Sequence, residues 1–230
     1  MKLELINGFW IGPGLTRLEQ LSIKSFLHLG HPFRLYCYEK LDNVPEGAEI
    51  ADARRFLSYD NAKKYSSPGM ASDVFRYKLM WEEGGWWVDL DTVALKPFVF
   101  RQPVVFGKLG AADHFANGVM RTTPRWAPMG ECLRRIEERY GFKAEWSMAG
   151  PHMLSEVVRD IGGSHFALPE HTFYPFLWEQ CGTAYQGPAR EFPNSHAVHL
   201  WHEWSRRRKI DMNAVHHPET LFETLHRKYP

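Results

Sequence analysis

Cysteine is scarce in this chain. Its three cysteines, Cys37, Cys132 and Cys181, are far apart, odd in number and include no CxxC pair. Neither a disulfide framework nor a zinc knuckle is indicated, and a reducing, cytoplasmic setting is the expectation. An excess of one charge is also missing. The formal net charge is +1, which gives no electrostatic reason to expect nucleic acid as a partner. No stretch approaches the roughly 20 apolar residues of a membrane span. The opening Met1-Lys2-Leu3-Glu4-Leu5-Ile6 places an acid where a signal peptide would carry its apolar run, so no cleaved leader is expected. Internal repeats, low-complexity tracts and long linkers are absent. The length suits a single domain over 1–230 with a sizeable core.

Aromatic residues are plentiful instead. Nine Trp and fifteen Phe have two readings: core filler, which is the ordinary fate of such side chains, or exposed faces that stack on bases and sugar rings. The basic run Arg206-Arg207-Arg208-Lys209 likewise reads either as a solvated face or as a contact with anionic lipid. The second reading would add peripheral contact at the inner membrane face.

The pattern along the chain predicts an α/β domain. Residues 3–10 form an apolar strand ended by Gly12-Pro13-Gly14. Thr16-Arg17-Leu18-Glu19 is a capping box that starts a helix running to about residue 29, where Gly30 stops it. Residues 33–38 read as a second strand and 41–47 as turn. A helix over 71–83 ends at Gly84-Gly85, and Trp86-Trp87-Val88 is a short strand that delivers Asp89 at its end. Further strands are expected at 104–107, 118–120, 166–168 and 197–200. Helices are expected at 127–140 and from Pro151 to about 160. The segment 170–194, rich in Pro, Gly and aromatics, is expected to be irregular and to lie on an acceptor side. A β-loop-α-β opening of this kind implies a mainly parallel central sheet flanked by helices.

Chemistry concentrates at Asp89-Leu90-Asp91. Residues two apart in extended chain point the same way, so the two carboxylates share one small volume. Like charges that close are costly unless a divalent cation neutralises them. The end of a buried strand is where open α/β sheets bind ligands. Alone, such a pair is a weak signal. Upstream, Asp73 and Arg76 are spaced i, i+3 on the predicted helix and share a face. They read either as a surface ion pair or as a carboxylate and guanidinium that grip sugar hydroxyls or phosphate. Farther on, Ala197-Val198-His199 is a β run ending in imidazole, a good ligand for Mn²⁺. His196, His199 and His202 would alternate faces on a strand and cannot share one site.

The run Ala71-Ser72-Asp73-Val74-Phe75-Arg76 through Gly84-Gly85-Trp86-Trp87-Val88-Asp89-Leu90-Asp91 resembles the DXD sugar-binding region of glycosyltransferase family 32, whose relatives include the clostridial glucosylating toxins and the α1,4-galactosyltransferases. Phe9-Trp10-Ile11-Gly12 is similar to the first strand of these enzymes, and His199-Leu200-Trp201 carries a fainter likeness. The resemblance is strong from about residue 71 to 97. It implies a GT-A type nucleotide-sugar-binding fold and a retaining, metal-dependent transfer of a hexose from a UDP- or GDP-linked donor to a hydroxyl of a saccharide or glycolipid. By position, Trp10 and Ile11 would meet the base, and Asp73 and Arg76 the donor sugar. Asp89 would contact ribose and sugar near the cation, and Asp91 would be its direct ligand. His199 would complete the coordination of Mn²⁺ or Mg²⁺. Trp201 would close over the diphosphate. Ala149-Gly150-Pro151 resembles the family's Gly-Pro turn, and its glycine would let backbone approach the donor. Asn117, in a loop with Gly118, and Asp113 would lie on the sugar side as catalytic candidates.

Two other classes fit parts of the pattern. Val88-Asp89-Leu90-Asp91-Thr92-Val93 also resembles the first motif of haloacid-dehalogenase phosphatases, in which an Asp attacks phosphate beside Mg²⁺. A full β-α-β segment precedes it here, however, and Asp73 and Arg76 have no part in that chemistry. A non-catalytic sugar-binding module on the same fold is the other alternative. The intact set Asp73, Arg76, Asp89 and Asp91 speaks against it.

Overall fold

The computed structural model describes residues 3–110 and 113–230, so Met1 and Lys2 of the opening run lie outside the described residues. Strand β1 (Ile6–Phe9) is buried throughout and leads to helix α1 (Arg17–His28), whose Thr16–Glu19 capping box is formed as the sequence predicts. Next come β2 (Phe33–Cys37), β3 (Ala48–Asp52) and α2 (Tyr59–Lys64). Sequence patterning misses the last two for a physical reason. β3 is a half-exposed edge strand with no apolar run, and α2 is a six-residue polar helix whose signal is only its Ser58 cap.

Helix α3 (Pro68–Glu82) begins three residues before its expected start, because the Ser67 hydroxyl accepts the Met70 N–H and Pro68 occupies the first turn. It ends at Gly84, whose φ of +66° lies in the left-handed region. A Cβ there would sit 2.7 Å from the Pro124 nitrogen and the Thr122 carbonyl, so only glycine fits. β4 (Gly85–Val88) follows at once. Its two tryptophans point to opposite faces: Trp86 packs on Phe98, with ring centroids 4.9 Å apart, and Trp87 packs on Phe75 at 6.1 Å. Both indoles are fully buried, so here the core-filler reading of the aromatics holds.

The remaining elements are β5 (Thr92–Ala94), β6 (Val105–Lys108), β7 (Phe115–Thr122), α4 (Ala127–Arg139), α5 (Met153–Ile161), β8 (Ala167–Leu168), α6 (Thr183–Gln186), β9 (Ala197–His199), α7 (His202–Arg207) and α8 (Leu221–Lys228). The main sheet has the order β3-β2-β1-β4-β7-β6-β8. β1–β2, β2–β3, β1–β4 and β6–β8 pair parallel, while β7 runs antiparallel to β4 and β6. This is the expected mainly parallel sheet. One face packs on α3, α4 and α5, and the other on α1. A second small sheet, β5 with β9, lies beyond it and packs with α8.

Two expectations need correction. Asn117 lies inside β7, not in a loop; the strand expected over 118–120 runs from Phe115 to Thr122 and is buried almost throughout. Pro151 does not open α5. The Gly150 carbonyl accepts the Tyr77 hydroxyl at 2.9 Å, and Gly150 adopts φ −93°, ψ −115°, so regular helix starts only at Met153. Segment 170–194 is largely irregular, as expected, but short helical turns run through it. The three cysteines are buried and free, and no described helix is long and apolar enough to cross a membrane.

Helix α8 carries an acid-sensitive latch. The Glu223 carboxylate receives both guanidinium nitrogens of Arg17 at 2.8 Å, and this pairing holds its pKa down at about 2. Burial, then the Arg17 charge, lowers His226 to about 4. A lowered carboxylate contributes stability that is complete above its ordinary pKa of 4.5 and is lost as pH falls towards 2. A lowered imidazole favours the folded state above 6.5 and loses that advantage as pH falls towards 4. The melting temperature should therefore fall in two successive steps on acidification. Glu223→Gln should cost about 2 kcal/mol at neutral pH and remove the lower step. His226→Leu should remove the upper one. Melting curves from about pH 8 to 2 would check both.

Candidate metal and donor site

The DXD turn is set by its middle residue. Leu90 is buried, and its Cδ2 lies 2.8 Å from where a Cβ on Gly8 of β1 would stand, so that glycine admits it to the core. With Leu90 turned inward, Asp89 and Asp91 face the other way. Backbone bonds fix the turn: Asp89 N–H to the Gly118 carbonyl at 2.7 Å, and Thr92 N–H to the Asp89 carbonyl at 2.9 Å.

Pairing of β5 with β9 brings in the imidazole. In that register Thr92 stands opposite His199, and the Leu200 N–H donates to the Asp91 carbonyl at 2.7 Å. His199 Nε2 ends 3.1 Å from Asp91 Oδ1 and 3.8 Å from Asp89 Oδ2. One ligand atom from each of Asp89, Asp91 and His199 falls within 4.8 Å of the others. Asp91 Oδ1 is buried and accepts no hydrogen bond, while Asp91 Oδ2 accepts the His202 N–H at 2.7 Å. Two carboxylates, one of them with an unsatisfied buried oxygen, and one imidazole fit a divalent cation. Burial opposes charge on His199, but Asp91 and then Asp89 outweigh it and lift its pKa above the ordinary value. A proton on the imidazole is thereby favoured in the absence of a cation, and its loss from Nε2 would free that nitrogen to ligate.

Asp89 is held from behind. Arg76 bridges Asp73, at 2.9 Å, and Asp89, and Trp87 Nε1 donates to Asp89 Oδ1 at 3.0 Å. Burial opposes the charge on Asp89, yet Arg76 and then His199 keep its pKa below the usual carboxylate range. Arg76 is nearly inaccessible and stacks on the Trp87 ring at 4.9 Å, so the i, i+3 pair is a buried bridge, not a surface ion pair. Burial pushes the Asp73 carboxyl up to about 6, with Arg76 pulling the other way. Asn117 Nδ2 donates to Asp73 at 2.8 Å and to the Tyr77 hydroxyl at 3.2 Å.

These groups open on a cavity of about 660 Å³, a size that suits small-molecule ligands. Trp10, Ile11, Asp73, Arg76, Asp89, Asp91, Asn117, His199 and Trp201 all line it. Trp10 and Ile11 also line an adjoining recess with Tyr38 and Glu39. Two candidates stand elsewhere. Asp113 is exposed and does not line the cavity; its carbonyl accepts Arg159 at 2.8 Å on the outer surface. Gly150 lies behind the wall. A Cβ on it would meet the Asp73 oxygens at 2.9 and 3.0 Å, so its part is to leave room for that carboxylate. His196 packs against Phe100 and His202 reaches Glu19 at 2.8 Å, so neither joins His199.

Four contributors escaped sequence reasoning. Trp87 and Tyr77 were legible only as apolar core. Tyr174 and Trp178 come from the irregular segment, which no periodicity decodes. Of the basic run, Arg206 and Arg207 are both bound by Glu203.

Comparison with known proteins points to glycosyltransferases. Residues 18–115 match the glycosyltransferase sugar-binding region containing a DXD motif, and residues 127–229 match the alpha 1,4-glycosyltransferase conserved region. The chain is 24% identical over 175 residues to a human alpha-1,4-N-acetylglucosaminyltransferase, covering 70% of this chain and 49% of that protein. It is 26% identical over 176 residues to the human lactosylceramide 4-alpha-galactosyltransferase, covering 69% and 47%. It thus spans about half the length of these human relatives. Among solved structures, PaToxG Glycosyltransferase superposes with a TM-score of 0.52 at 19% identity, covering 68% of this chain and 69% of that one, a likeness of fold.

Proposed function

The chain belongs to the glycosyltransferases with a DXD-containing sugar-binding region, and from that premise we propose that it is a retaining, metal-dependent transferase. It moves a hexose from a nucleotide sugar to a hydroxyl of a saccharide or glycolipid. The observation that carries this reading is the Asp89–Asp91–His199 cluster at the wall of a ligand-sized cavity, with the Arg76 bridge directly behind it.

Asp91, Asp89 and His199 would hold Mn²⁺ or Mg²⁺. When bound, that ion supplies charge neutralisation at the diphosphate leaving group. The protein's own groups do the rest. Arg76 locks Asp89 in place and, with Asn117, sets the Asp73 carboxylate towards the donor sugar's hydroxyls. Trp10 and Ile11 take the base, with the recess beside Tyr38 giving it room. Trp201, in a left-handed conformation with φ +50°, lays its ring 4.4 Å from His199 and covers the diphosphate side. The phosphatase alternative asks Asp89 to attack phosphate, but Arg76 and Trp87 tie that carboxylate down.

Incubation with Mn²⁺ and a panel of UDP- and GDP-sugars should release nucleotide from one donor. Turnover of simple phosphate esters instead would sink the transferase reading, and donor binding without turnover under any acceptor would favour a binding module. NMR of the linkage formed should show the donor's anomeric configuration; an inverted product would overturn retention.

A further inference from the structure

Most tryptophans of this chain are absorbed by the core or half-covered. Trp146 alone among the described tryptophans is exposed, at 52% of its surface, and it stands at the rim of the cavity. It is not isolated. From His199 a row of rings leads outward: Trp201 at 4.4 Å, then Trp178 at 5.9 Å, then Trp146 at 4.9 Å. Trp146 and Trp178 come from different loops and are held as a pair. The Arg207 guanidinium lies over both, 4.7 Å and 5.7 Å from their centroids, and its Nε is fixed by Glu203 at 2.7 Å. Ser147, next to Trp146, has φ +70°, a left-handed conformation unusual for serine, and its carbonyl accepts the N–H groups of Gly150 and His152.

We infer that Trp146 and Trp178 form a stacking platform for the acceptor, and that the acceptor is a saccharide of at least two rings. This rests on the donor reading given above. Trp10 and Ile11 line both the recess and the cavity, whereas Trp146 and Trp178 line the cavity alone, so a donor whose base takes the recess leaves its sugar in the space that the Trp pair shares. A pyranose presents an apolar C–H face to an indole and polar hydroxyls around its edge. The cavity that holds the pair has matching groups, with Glu145, Ser147, Glu203 and Arg206 all lining it. A lipid chain would gain nothing from these. A flat base would want a parallel slot, whereas the two indoles are inclined at 50°, an open wedge. The row continues past the ring nearest the cluster, which gives a second sugar its own support on Trp146.

The test compares octyl glycosides of lactose, maltose and cellobiose with the matching monosaccharide glycosides. At least one disaccharide should have the lower KM in the wild type. Trp146→Ala should raise that KM about tenfold, to the monosaccharide level, and leave the donor KM alone. Trp146→Phe should restore most of the difference. Trp178→Ala should raise KM for both acceptor lengths. A disaccharide KM within twofold of wild type in Trp146→Ala, or equal KM values for all mono- and disaccharides in the wild type, would overturn the platform. Because Trp146 is exposed, an unchanged melting temperature separates loss of contact from loss of fold. Absence of any donor turnover would instead defeat the transferase reading. Calorimetric titration of the same disaccharides would then decide the platform by itself: weaker binding in Trp146→Ala supports it, and no binding to the wild type overturns it.

Discussion

Asp91→Asn is expected to lower transfer by about a thousandfold or more, on the order of 4 kcal/mol of lost transition-state stabilisation, with the fold intact. The two oxygens of Asp91 have separate tasks. Oδ2 accepts the His202 N–H at 2.7 Å and so fixes the start of α7. Oδ1 is buried, without a hydrogen bond, beside His199. Asparagine can keep the first contact through its carbonyl oxygen, but it places a neutral group where charge is needed. Activity should collapse while the melting temperature moves by only a few degrees, and calorimetry should show Mn²⁺ affinity falling in parallel. The neighbouring Asp89→Asn should behave differently, because it also strips charge compensation from the buried Arg76, so stability should fall along with activity. Asp91→Asn retaining a tenth of wild-type transfer would remove Asp91 from the role of direct ligand.

The contrast between these two acids marks how far the sequence could be read. The DXD spacing, the Asp73–Arg76 pair and the Gly84 stop lie within about twenty residues, and local periodicity was enough to put them on one helix, one turn and one strand end. That Arg76 is a buried bridge was not legible, because burial depends on β7 and the 148–152 turn packing over it from far along the chain. His199 was legible as a possible ligand; its delivery depends on β5, a three-residue strand with no alternating pattern of its own. Trp146 and Trp178 sit in irregular segments where side-chain direction follows no period. Asp113 failed for the related reason that an acid near a strand says nothing about which side of the sheet it meets. Gly150 reads in the sequence as a glycine that lets backbone approach the donor, whereas the group packed against it is the protein's own Asp73.

Gly118 gives the most demanding check of the cluster, because its effect would be purely spatial. Its φ lies outside the positive range that strains side chains, so β7 can accept alanine there without backbone cost. The added methyl, however, would stand 2.9 Å from Asp89 Oδ2 and 3.0 Å from His199 Nε2. Neither neighbour can retreat freely. Asp89 is pinned by Arg76 and Trp87, and His199 by its β9 pairing opposite Thr92 and by the Trp201 ring. Gly118→Ala should therefore spread the ligand atoms, weaken Mn²⁺ binding and lower kcat/KM about a hundredfold, while far-UV circular dichroism stays native. The loss should exceed that of Gly150→Ala, whose methyl presses on Asp73 and leaves the proposed ligands untouched. Wild-type Mn²⁺ affinity in Gly118→Ala would mean that the cation sits away from the space between Asp89 and His199, leaving the imidazole as a positioning group for the two acids.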